Sequence, residues 1–166
     1  MRSFSDEKKS GTWELLLTRP ITDLSIVLAK NIASLTIAVI GILPTLIYFL
    51  SVYLLGNPVG NIDTGGTWGS YIGLILLAMV YVSIGGFCSS LTDNQVIAFL
   101  LALVIIFAFY LGFETLGNIL SWSKTGFILE ALSINRHYIS LSRGVIDTRD
   151  LVYFFGTSAF FILLFC

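Results

Sequence analysis

The triplet Asp63-Thr64-Gly65 matches the short signature of aspartic proteases, whose chemistry needs two carboxylates sharing one proton. This sequence supplies a single copy inside a glycine-rich stretch, and Asp, Thr and Gly together are what a turn requires. Glu114 stands just past an apolar run. An ionisable group within a bilayer is a candidate for handling ions or substrate, but at the edge of a span it is expected to reach the headgroup region. His137, beside Arg136, has no nucleophile nearby to activate and reads as an exposed loop histidine. One histidine with Cys88 and Cys166, both inside apolar runs, supplies neither a metal-ligand set nor a disulfide framework. The loop pattern G-x-x-x-x-G-K-[ST], which would cradle nucleotide phosphates, does not occur. These residues predict no catalytic centre, cofactor or metal of the chain's own, and no nucleic-acid partner.

The elements that would hold such residues are overwhelmingly apolar. Of 166 residues, 56% are hydrophobic and only 11% charged, with a net charge of −1; the mean hydropathy is +0.91. Such a chain is far from ordinary soluble composition and predicts an all-α polytopic membrane protein. Four apolar runs, near 31–55, 71–91, 96–113 and 151–166, have about the length of membrane-spanning helices, the last slightly short and still apolar at Cys166. Gly41 and Pro44 predict a kink in the first. "GNPVGNIDTGGTWGSYIG" reads as an exposed turn-forming loop leading into the second span. Gly65, Gly69 and Gly73 repeat every four residues, the spacing that lets helices approach closely, although the same glycines could belong to the loop. "SSLTDNQ" is short enough to make the second and third spans antiparallel neighbours. Between Glu114 and Asp150, the residues Phe127, Ile128, Leu129, Leu132 and Ile134 predict a re-entrant or short outer helix at the membrane edge. Asp147 followed by Asp150 resembles a capped start for the last span.

The opening segment differs from everything after it. "SDEKKSGTWELLLTRPITD" packs Asp6, Glu7, Lys8, Lys9, Glu14, Arg19 and Asp23 into one short stretch. Trp13, Leu16 and Leu17 fall at i, i+3 and i+4 on one apolar face, with Glu14 turned away, and Pro20 ends the helix. Helices that lie on lipid are rich in Lys and Arg, whereas here the charge is mixed, so a protein partner fits this face better than lipid alone. The first 30 residues carry five basic side chains, Arg2, Lys8, Lys9, Arg19 and Lys30, against four in the last connection. That small excess favours a cytoplasmic start. The resulting topology places 1–30 and 89–95 inside, and 56–69 and 114–150 outside.

"EKKSGTWELLLTRPITDLSIVLAK" resembles the cytoplasmic loop of ABC-2 type transporter permeases, through Glu7, Gly11, Thr12, Glu14, Leu15, Leu16 and Pro20. "LPTLIYFLSVYLLGNPVGNIDTGGTWGSYIG", "SSLTDNQVIAF" and "SRGVIDTRDLVYF" are similar to the gliding-motility branch of that family in Bacteroidetes. The resemblance implies a permease subunit of a bacterial inner-membrane transporter, in which an ATP-binding cassette ATPase in a separate chain hydrolyses ATP. It implies a cytoplasmic coupling helix within residues 1–30, with Glu7, Gly11, Thr12, Trp13, Glu14, Leu15, Leu16, Leu17 and Pro20 at the ATPase contact. It also implies a transmembrane permease domain over 31–166, a second permease subunit of the same or another kind, and the lipid bilayer as surroundings. Family members carry two further helices before the segment matched here and a basic tail after the last, so a partial permease is expected. A secondary transporter or channel would need polar residues lining a path at mid-membrane, where these spans offer few beyond Ser, Thr and Tyr. A membrane scaffold would need no path at all.

Overall fold

The computed structural model describes residues 23–120 and 122–165. Among them there are helices and no strand: α1 Asp23–Ile42, α2 Thr45–Leu55, α3 Thr64–Leu91, α4 Gln95–Phe107, a π-helical turn Ala108–Gly112, α5 Phe113–Ile119, α6 Lys124–Ala131, α7 Ile134–Ser142 and α8 Thr148–Phe165. Four stretches are long and apolar enough to cross a membrane: Leu24–Leu55, Thr64–Leu91, Gln95–Ile119 and Thr148–Phe165. The protein is thus an all-helical polytopic membrane protein. Residues 1–22, with the segment expected to form a coupling helix, lie outside the described residues.

The first span breaks where Pro44 has no N–H to give to the preceding turn. Leu46 N donates to Leu43 O and Ile47 N to Pro44 O, each at 3.1 Å, which tightens the chain locally. Thr45 Oγ1 donates to the freed Ile42 carbonyl at 2.6 Å. The break falls at Leu43–Pro44, and Gly41 remains within α1.

The second span starts at Thr64, well before the Tyr71 expected from the glycine-rich composition. Asp63 starts it by accepting a hydrogen bond from Gly66 N at 2.9 Å, an N-cap that answers one of the donors a helix leaves open. Composition misled here because glycine is a poor helix former in isolation, whereas tertiary packing sets the outcome in a bundle. Asn94 caps α4 in the same way through Val96 N at 3.0 Å, so only Thr92–Asn94 separate two neighbouring spans.

The third span runs on past Phe113 to Ile119 through the π turn, in which Phe113 N reaches Ala108 O. Beyond it, α6 and α7 form a short helical pair that packs against the bundle. The core gathers around α3. Leu76, Val80, Ile84 and Cys88 meet Ala102 of α4, Ile134 and Leu141 of α7, and Phe154 and Phe161 of α8. Phe161 stands edge-on to Phe109 with ring centres 5.7 Å apart. Ile32, Ile37, Ile47, Leu103 and Leu163 point away from this core. Lipid tails are as apolar as these side chains, so close packing and buried polar bonds must hold the helices together.

Candidate functional site

The helix that organises the polar groups is α7, "INRHYISLS". Ile134, Tyr138 and Leu141 recur at i, i+4 and i+7 and turn toward the core, the first and last of them fully buried. The intervening polar residues meet the elements on either side. Asn135 Nδ2 donates to Glu114 Oε2 at 2.7 Å. Glu114 therefore sits partly buried within the third helical stretch, not at a solvated end. Ser133, just before α7, is buried and donates through Oγ to Tyr110 O inside the π turn at 3.3 Å.

His137 corrects the sequence reading most. It lies on α7 with only 17% of its side chain exposed, so it is not an exposed loop residue. Its Nδ1 is 2.6 Å from Asp150 Oδ1, and its Nε2 donates to Ala131 O at 3.0 Å. The ring stacks on Tyr153 with centres 4.1 Å apart, and the Tyr153 hydroxyl donates to Leu132 O. One histidine thus ties α6, α7 and α8 together. A carbonyl oxygen only accepts, so Nε2 must carry a proton, while a second proton lies between Nδ1 and the carboxylate. Asp147 caps α8 by accepting from Arg149 N at 3.1 Å. The last span thus has the capped start that Asp147 and Asp150 suggested, with Asp147 as the cap, while the Asp150 side chain turns to His137 because a buried carboxylate needs a donor.

Beside this pair lies a cavity of about 400 Å³ bordered by Phe127, Arg136, Ser140, Asp147, Arg149 and the pair itself. Arg136 bonds Glu130 at 3.0 Å and lies 5.8 Å over the Phe127 ring. A second cavity, of about 600 Å³, opens between the α1–α2 break and the start of α3, where Asp63, Thr67, Ser70 and Tyr71 line it. The Asp63 carboxylate there is occupied as a helix cap.

All three glycines of the four-residue repeat lie in α3. A Cβ at Gly69 would stand 2.4 Å from Leu141 O and 2.7 Å from the Cα of Gly144, and one at Gly73 would stand 3.2 Å from the Leu141 Cβ. Gly65 meets only Asp63 in this way, yet its own carbonyl carbon would be 2.9 Å from a Cβ on Gly144. Gly144 has φ +80°, a left-handed conformation that ends α7 and favours glycine. The first and third connections therefore meet at the same end of the bundle.

Toward the other end of α3, Asn31 Nδ2 donates to Ser83 Oγ at 3.2 Å, and Ser83 and Ser158 share a hydrogen bond of 2.7 Å. Three spans are joined by this polar cluster. Sequence reading passed over it because isolated Ser and Asn residues carry no periodic signal. A useful signal was present in α7, where Asn135, Arg136, His137, Ser140 and Ser142 stand between apolar residues at helical spacing. Among the described residues these groups hold neighbouring helices together through hydrogen bonds. The ATPase-contact residues Glu7, Gly11, Thr12, Trp13, Glu14, Leu15, Leu16, Leu17 and Pro20 lie outside the described residues.

Compared with known proteins, residues 1–166 match the family described as ABC-2 family transporter protein. No curated protein and no solved structure matched the chain.

Proposed function

The chain belongs to the ABC-2 transporter family, and we propose on that basis that it couples ATP hydrolysis by a partner subunit to substrate movement across a bacterial inner membrane. Its family makes it a membrane permease component, a role that fits four apolar helices packed around α3. The match over the whole chain is the observation that carries this reading. In it, 1–30 is the cytoplasmic segment and Ser5 to Thr18 docks on an ATP-binding cassette ATPase. Trp13, Leu16 and Leu17 form the apolar contact, with Glu7 and Glu14 as polar partners. A second permease subunit completes the path. The stretches "SSLTDNQVIAF" and "SRGVIDTRDLVYF" support assigning the transporter to gliding motility.

The test is co-expression with a cognate ATP-binding cassette ATPase. The expected result is co-purification of the two chains and ATP hydrolysis that depends on both. Removing a central aromatic anchor costs roughly 2 kcal/mol or more, so Trp13→Ala should lower recovery of the ATPase by about thirtyfold in affinity while the chain still inserts in the membrane. Unchanged recovery across Trp13→Ala, Glu7→Lys and Glu14→Lys would remove this segment from the interface.

A further inference from the structure

The cavity of about 400 Å³ between α6, α7 and the start of α8 holds charges of both signs and one buried carboxylate oxygen without a partner among the described residues. Asp150 is 6% exposed and lines this cavity. Its Oδ1 is engaged by His137, but among the described residues its Oδ2 is buried without a hydrogen-bond partner. A carboxylate oxygen left so is an acceptor awaiting a donor. Across the same cavity are Arg136, which keeps donors beyond its bond to Glu130, and Arg149, whose guanidinium has no bonded partner among the described residues.

The charges around the cavity cancel. His137 and Asp150 are neutral as a pair wherever their shared proton sits, Glu130 offsets Arg136, and Asp147 offsets Arg149. A net-neutral site that presents acceptor and donor groups separately suits a ligand that is itself neutral overall but carries both charges. Arg149 and Asp150 lie in the first turn of the last membrane-crossing stretch, and Phe127 of α6, which lines the same cavity, is exposed, as is Ile128 next to it in sequence. This is headgroup depth, with apolar side chains available to lie along a lipid tail.

We propose that this cavity binds a zwitterionic aminophosphate headgroup, its primary ammonium donating to Asp150 Oδ2 and its phosphate meeting the Arg149 and Arg136 guanidinium groups. The ammonium must carry N–H bonds, so a quaternary choline cannot substitute, and a glycerol headgroup offers Asp150 Oδ2 only an uncharged hydroxyl donor and leaves the charge unbalanced.

The experiment is native mass spectrometry of the full chain in detergent, titrated separately with phosphatidylethanolamine, phosphatidylcholine, phosphatidylglycerol and soluble phosphoethanolamine. Phosphatidylethanolamine should be retained about tenfold better than the other two lipids, the loss expected when one charge-assisted hydrogen bond is missing. Binding of phosphoethanolamine at the same affinity would identify a free ligand as the source; much weaker binding would identify the lipid. Asp150→Asn should abolish the preference over phosphatidylcholine. Arg149→Gln, an exposed position outside the His137 contact, should weaken retention about tenfold while leaving the fold and the His137–Asp150 pair in place. Equal retention of all three lipids, or retention unchanged in Arg149→Gln, would overturn the proposal.

Discussion

His137 and Asp150 are 2.6 Å apart, and this contact fastens the short helical pair between the third and fourth spans to the last span. The histidine also bonds Ala131 O and stacks on Tyr153, so its loss would release three contacts together. Asp150→Ala leaves the buried ring nitrogen without its acceptor and should lower stability by about 1–3 kcal/mol. His137→Gln retains an N–H donor and should lose less. Thermal unfolding in detergent, followed by circular dichroism, checks the order. Equal stability of both variants and the parent would mean that the contact does not hold α7 to α8.

Gly69 presents its backbone to Leu141 and Gly144, leaving no room for a side chain. Gly69→Ala forces backbone atoms apart, and overpacking of this kind costs about 1–3 kcal/mol. Gly86, where a Cβ would meet nothing, provides the control: Gly86→Ala should be neutral or slightly stabilising, by up to about 1 kcal/mol. Unfolding midpoints of the two variants should move in opposite directions or differ clearly.

The class of fold was legible because apolar run length reports directly on bilayer thickness, and the first and last runs lie within the stretches Leu24–Leu55 and, up to the last described residue, Thr148–Phe165. Run length says nothing of how a helix begins. Thr64 opens α3 because Asp63 caps it and because Leu141 and Gly144 pack on its glycines, contacts that join residues far apart in sequence. The π turn at Ala108–Gly112 left no mark in the sequence either, since its residues suit an α-helix equally well. The role of His137 was hidden for the same reason. Its partner lies 13 residues along the chain, across a helix end whose direction only the fold sets.

Ser83 and Ser158 share a 2.7 Å hydrogen bond within the apolar bundle, and Asn31 adds a third helix to it. Bonds of this kind between membrane helices contribute about 0.6 kcal/mol on average and up to about 1.7. A double-mutant cycle with Ser83→Ala and Ser158→Ala should give a coupling in that range, with the double variant less destabilised than the sum of the singles. Asn31→Leu should reduce stability further only while Ser83 is present. Full additivity of Ser83→Ala and Ser158→Ala would show that the bond carries no net energy.

The topology follows from contacts that can be tested from both sides of a membrane. Ser70 Oγ reaches Ser142 O at 3.3 Å, and Gly65 meets Gly144, so the connections before α3 and before α8 share one end of the bundle. The Thr92–Asn94 connection, one span away, must lie at the other. The basic excess in residues 1–30 favours placing that other end, with the N-terminal segment, in the cytoplasm. Single cysteines at Asn61 and Ser5, in a background lacking Cys88 and Cys166, separate the two arrangements. On intact spheroplasts an impermeant thiol reagent should label the Asn61 position and spare Ser5, and lysis should make Ser5 reactive. A third cysteine at Val145 should label with Asn61, because Gly144 and Gly65 are in contact whichever way the bundle is inserted. Labelling at Ser5 with protection at both Asn61 and Val145 would invert the insertion and leave the fold intact, whereas opposite behaviour of Asn61 and Val145 would contradict the fold itself.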